Sequence, residues 1–73
     1  MTEYPKPFGV YRHYKGGIYR VLFLSVHTET QEVLVNYQSL LFGSYHSRPL
    51  SLWNEKVNKK PRFEEIEDEF DQS

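Results

Sequence analysis

The chain contains no cysteine and is only 73 residues long. A domain of that size buries about 60% of the surface its unfolded chain exposes, so it is marginal without a staple. Disulfides, cysteine-held zinc and thiol chemistry are all excluded, and apolar packing has to hold the fold. Six Tyr, five Phe and one Trp supply the bulk, because aromatic side chains bury large areas and sit well on pleated sheets. Most of these rings therefore read as core and not as a ligand platform. The missing cysteines also fit a reducing compartment, and a cytoplasmic location is expected.

The opening segment, Met1-Thr2-Glu3-Tyr4-Pro5-Lys6-Pro7, carries an acid and two prolines where a secretory signal has an apolar run. The strongest apolar stretch, Val21-Leu22-Phe23-Leu24, is far shorter than the roughly 20 residues that cross a bilayer. No membrane partner is expected.

Turn signals divide the chain into short strands. Pro5 and Pro7 make residues 1–7 an extended lead-in. A first strand is expected over residues 8–14, ended by the Lys15-Gly16-Gly17 turn. Residues 18–27 form the clearest strand. Its odd positions (Tyr19, Val21, Phe23) and even positions (Ile18, Leu22, Leu24) are both largely apolar, which predicts a central, curved strand covered on both faces. A polar loop over 28–32 leads to a strand over 33–40. Gly43-Ser44 breaks the chain, and a fourth strand over 45–48 ends at Pro49. Residues 51–57 are ambiguous; Ser51 is placed to cap a helical turn carrying Leu52 and Trp53. A last short strand includes Val57 or Arg62-Phe63. These strands and tight turns predict a mostly β fold, a small SH3-like barrel of about five strands over residues 8–63, whose closure removes exposed edges.

Charge is divided along the chain. Residues 64–73 hold six acids and no base, while the other 63 residues hold all nine Lys and Arg against four acids, formally +5. Such asymmetry marks either an interaction or a solubilising tail. The tail is expected to be disordered, although Ile66 and Phe70 have the i, i+4 spacing of a docking helix.

The octet Gly9-Val10-Tyr11-Arg12-His13-Tyr14-Lys15-Gly16 resembles the opening of a bacterial family known as domain of unknown function 1653. Tyr19, Val21-Leu22, the His27-Thr28-Glu29-Thr30 turn, Tyr37, Arg48-Pro49-Leu50 and Pro61-Arg62-Phe63 extend the resemblance across residues 8–63. It departs at Tyr45-His46-Ser47, where a Trp-containing segment is expected; Trp53 lies beyond that point. The resemblance implies a bacterial cytoplasmic protein with an SH3-like barrel, and supplies no activity and no site residues.

Chemistry has to be argued from the residues. There is no phosphate-binding glycine loop and no nucleophile elbow, and a barrel this small lacks room for a deep water-excluding pocket. No enzyme, no catalytic residues and no cofactor are expected. His13, His27, His46, Glu29 and Glu32 show no structural-zinc spacing, so no metal is expected either. His27 and Glu29 read as either an ion site or turn stabilisers, with Glu29 or a threonine hydroxyl satisfying the turn backbone.

In a strand over 8–14, Tyr11 and His13 point one way and Arg12 the other. Arg12 then either pairs with Glu29 or Glu55 or lies at a rim. Aromatics interleaved with cations suit single-stranded nucleic acid, since bases stack on rings while Arg and Lys follow phosphates. The candidate ligand-binding residues are Tyr11, Arg12, His13, Tyr37, Arg48 and Trp53, within a wider set that includes Lys15, Arg20, Lys56, Lys59, Lys60 and Arg62. The expected function is a non-catalytic binding module for nucleic acid or nucleotide, with the acidic tail placed to compete for the same groove. The alternative is a protein- or peptide-interaction module acting on a partner enzyme, through an aromatic groove whose affinity is insensitive to salt. A monomer or a weak homodimer through an exposed strand edge is expected.

Overall fold

The computed structural model of the chain describes residues 3–67. The fold is mostly β. Strands β1 (Val10–His13), β2 (Ile18–Val26), β3 (Val33–Ser39) and β4 (Tyr45–Pro49) precede one short helix, α1 (Leu50–Trp53). A small hairpin of β5 (Lys56–Val57) and β6 (Lys60–Pro61) leads to β7 (Phe63–Ile66). Five strands form one antiparallel sheet in the order β4-β3-β2-β1-β7, and the hairpin stands apart.

The sheet is open. β4 and β7 are its two edges, so barrel closure is not found. The chain between them turns into α1 and the hairpin instead of a strand, and α1 packs on β3 and β4. Closure is replaced by side chains: Trp53 from α1 stacks on Phe63 of β7, with ring centres 3.8 Å apart and planes 5° from parallel. The helix starts at Leu50 with Pro49 before it and no side-chain cap, so Ser51 does not cap it.

The double apolar pattern of β2 has a specific cause. Cross-strand partners share a face of the sheet. Val21 is paired with Tyr37, but the next pair is Phe23 with Asn36, which leaves Leu22 as the extra residue of a β-bulge. An extra residue exchanges the two faces. Tyr19 and Val21 therefore lie on the same side as Leu24 and Val26, which face Val35 and Val33. The strand is not covered on both faces: Phe23 on the opposite side is 59% exposed.

On the inner side, Tyr11, Val21, Val35, Tyr37, Leu50, Trp53 and Phe63 form one buried cluster, with Tyr19 and Val33 against it. Ser39 is also buried. Its hydroxyl oxygen accepts the amides of Leu41 and Phe42, at 3.3 and 3.0 Å, and so fixes the turn into β4.

Two boundaries differ from expectation. The first strand begins at Val10, because Phe8 takes a positive φ of 61° and the Gly9 amide closes onto the Lys6 carbonyl at 2.9 Å. The acidic segment does not begin as a disordered tail: Glu64, Glu65 and Ile66 pair with Arg12, Tyr11 and Val10. Backbone pairing overrides their charge because carboxylates are tolerated on a solvated edge strand. Ile66 is thus in a strand and not on a helix face; Phe70 and the rest of the tail lie outside the described residues. Both candidates for the last strand are used, Val57 in β5 and Phe63 in β7.

The Gly16 turn has a φ of +105°, which explains a glycine there. At the β5–β6 turn both central residues are left-handed, Asn58 at 52° and Lys59 at 67°. That geometry favours Asn-Gly, and Lys is a poor second residue. Lys59→Gly is expected to stabilise the protein by about 0.5–1 kcal/mol, raising the melting temperature by a few degrees in calorimetry. Trp53→Ala removes the side chain that bridges the open sheet. A loss of about 3–5 kcal/mol is expected, visible as a urea midpoint near zero in circular dichroism.

Candidate functional site

β1 sets the directions of the first candidates. Tyr11 and His13 face inward and Arg12 outward, as strand alternation requires. Tyr11, Tyr37 and Trp53 are core side chains, at 8%, 5% and 4% exposure. Trp53 meets Tyr37 and Tyr11 edge-on, with ring centres 5.1 and 5.4 Å away. The Tyr11 hydroxyl accepts the Lys6 amide at 2.8 Å. Burial, with a smaller push from Glu65, raises its pKa against the opposing effect of that amide. These three rings face one another, so the platform reading gives way to packing.

Arg12 is exposed on the outer side, in register with Ile18 and Glu64. The ion pair expected with Glu29 or Glu55 is not formed; Glu55 instead takes Arg62, with Nη2 at 2.5 Å from Oε1. The other two candidates, His13 and Arg48, remain half-buried on the inner side, where both lie against the Phe63 ring.

This cluster lies at one end of the aromatic core. The Arg48 guanidinium is 5.4 Å from the centre of the Phe63 ring, and its Nε donates to the Tyr37 hydroxyl at 3.3 Å. His13 meets the same Phe63 ring edge-on at 5.0 Å and lies 4.6 Å from Tyr14. Lys15 and Arg62 each approach the Tyr14 ring, at 5.7 and 5.8 Å. The Tyr14 ring is 48% exposed. Among the described residues, Glu55 is the one carboxylate ion-paired with this group. The Nε of Arg62 is buried without a hydrogen-bond partner.

The cations act on His13. Burial first, and then the charges of Arg48, Arg62 and Lys15, hold its pKa below the ordinary histidine value. Its Nδ1 accepts the Lys15 amide at 3.1 Å, which suits a neutral ring protonated on Nε2. Three permanent cations against one ion-paired carboxylate leave an excess of positive charge here, and arginine forks match the geometry of an anion with several oxygens.

The other candidates resolve differently. The His27 ring accepts the amides of Glu29 and Thr30, at 3.2 and 3.4 Å. His27 itself stabilises the turn, and the Thr30 hydroxyl serves Glu32. Among the described residues, no group of three or more His, Asp or Glu is arranged to hold a metal, and no helix is long and apolar enough to cross a membrane. A hollow of about 640 Å³ lies elsewhere, beside α1. Its walls hold Glu3 and Glu32 against Lys56, so it lacks the excess of positive charge found at the cationic end.

Sequence reasoning singled out His13 and Arg48 and held Lys15 and Arg62 in reserve. It missed Phe23 and Tyr45 as exposed rings, 59% and 73% accessible. Their outward direction depends on the bulge and on the β3–β4 register, for which no local signal exists.

The family model of DUF1653, described as a protein of unknown function, matches residues 9–65. The crystal structure of a DUF1653 protein from Bordetella bronchiseptica is similar at 40% identity and a TM-score of 0.73, covering 86% of this chain and 88% of that one. No curated protein matches the chain.

A depressed histidine pKa makes stability depend on pH. Below about 6.5 the unfolded chain binds a proton at this position more readily than the folded one. Stability is therefore expected to fall as pH drops from 7.5 towards 5.5, and His13→Gln should flatten that slope in urea unfolding. An equal slope in the variant would show that His13 is not the group responsible.

Proposed function

The chain belongs to DUF1653, a family of proteins of unknown function, and from that premise we propose that it is a non-catalytic binding module for single-stranded nucleic acid or nucleotides. The observation that carries the reading is the gathering of Arg48 against the Phe63 ring and of Lys15 and Arg62 against the Tyr14 ring, the two rings that His13 touches, with Glu55 as their one ion-paired carboxylate among the described residues. Like charges held together cost free energy, and a bound phosphate removes that cost. Tyr14 supplies an accessible ring beside the cations, which suits stacking of a base whose phosphate they hold. The location that fits this reading is the cytoplasm, where such ligands are found.

Fluorescence anisotropy with an eight-nucleotide single-stranded RNA tests the proposal. Binding is expected to weaken steeply with salt. Arg48→Gln should lower both the affinity and the salt slope, by about 0.7 in log–log terms if one phosphate contact is lost. Binding that ignores salt, or an Arg48→Gln variant indistinguishable from the native chain, would favour the protein- or peptide-interaction reading instead.

A further inference from the structure

β4 is an edge strand with two different faces. Tyr45 and Ser47 are in register with Gln38 and Asn36, so they share the outer side with Phe23, the partner of Asn36. His46 and Arg48 are in register with Tyr37 and Val35, on the inner side. Strand alternation thus puts a ring and a hydroxyl on one side of the edge, and an imidazole and a guanidinium on the other.

The outer side is built and not merely exposed. Phe23 and Tyr45 line one hollow of about 250 Å³, together with Asn36 and Ser47. The Asn36 amide is fixed: its Nδ2 donates to the Ser25 hydroxyl at 2.9 Å, and its Oδ1 accepts from Ser47 at 2.6 Å. Two large accessible rings therefore flank an immobile polar floor. On the inner side of the same strand pair, His46 stacks on Tyr37, 5.4 Å between centres and 23° from parallel. Tyr37 in turn holds Arg48 through its hydroxyl. The hollow and the cationic end are thus joined through one pair of neighbouring strands.

We propose that the β4 edge is a rail for single-stranded nucleic acid, with a base held between Phe23 and Tyr45 on the outer side and the phosphates of the same strand crossing the edge to Arg48. The inference rests on the anion-binding reading and deepens it, because it selects a strand over a free phosphate or a mononucleotide. Three residue steps separate Tyr45 from Arg48, about 10 Å along an extended strand, a distance that one or two nucleotides span. A small anion leaves the rings unused, and an uncharged apolar peptide leaves the cations unused. A polyanion of stacked bases uses both, and the hollow has room for a single planar base.

The test compares two hexamers of equal charge, hexathymidylate and a fully abasic hexadeoxynucleotide, by anisotropy at low salt. The native protein is expected to bind hexathymidylate about tenfold more tightly, since stacking on a protein ring contributes that order per base. Phe23→Ala and Tyr45→Ala should each reduce that preference and leave abasic affinity unchanged. Both side chains are largely exposed, so the folded state survives, and unchanged circular dichroism confirms it. Phe23→Tyr should retain the preference. Equal binding of the two hexamers by native protein, or a preference that both alanine variants keep, overturns the rail while leaving the cationic site standing. Absence of salt-dependent binding to either hexamer removes the cationic site as well.

Discussion

The parallel stack of Trp53 on Phe63 is the constraint on which the rest of the molecule depends. An open sheet of five strands leaves its inner face wet unless something lies across it, and the four residues of α1 supply Trp53 for that purpose. A helix of one turn does not persist by itself. It persists here because Trp53 is anchored on three sides, by Phe63, Tyr37 and Tyr11. The same ring joins the segment after β4 to the opposite edge strand. A closed barrel makes that connection with backbone hydrogen bonds; this chain makes it with aromatic faces.

The candidate site is a by-product of that core. Phe63 has one face on Trp53, and its surroundings also take the Arg48 guanidinium and the edge of His13. The rim of the aromatic cluster is therefore where charge is allowed to gather, because the long stems of Arg and Lys cover apolar surface while their heads stay wet. Each cation–ring contact is worth about 0.5–1 kcal/mol at such half-exposed positions. These contacts hold the cations near one another against their repulsion. Tyr11, Tyr37 and Trp53 are buried beneath this rim and serve as its packing support.

Local patterns made much of this legible. Glycines at the first turn, the polar loop before Val33 and the proline after Arg48 mark the first four strands within about two residues. Alternation in β1 separated His13 from Arg12 correctly. What could not be read was anything set by register. The bulge at Leu22 makes a run of mixed apolar positions look like a strand buried on both faces, when it is a strand that changes sides. The pairing of Glu64 and Glu65 with β1 opposes their composition, because edge strands need backbone partners more than they need apolar side chains. The aromatic residues were recognisable as a group, but their division into core and surface follows from cross-strand partners far away in sequence.

The two edges of the sheet are chemically unlike, and this limits how the molecule can be extended. β7 carries Glu64 and Glu65, with Lys6 weakly paired to the latter at 3.9 Å. Two such edges brought together confront four carboxylates, so that side is closed to self-association. β4 carries no acid over Tyr45–Pro49. Any extended partner that adds there meets a sheet whose far side is already blocked to its own kind. Pairing between like edges is thus restricted to β4 and stops after a single addition.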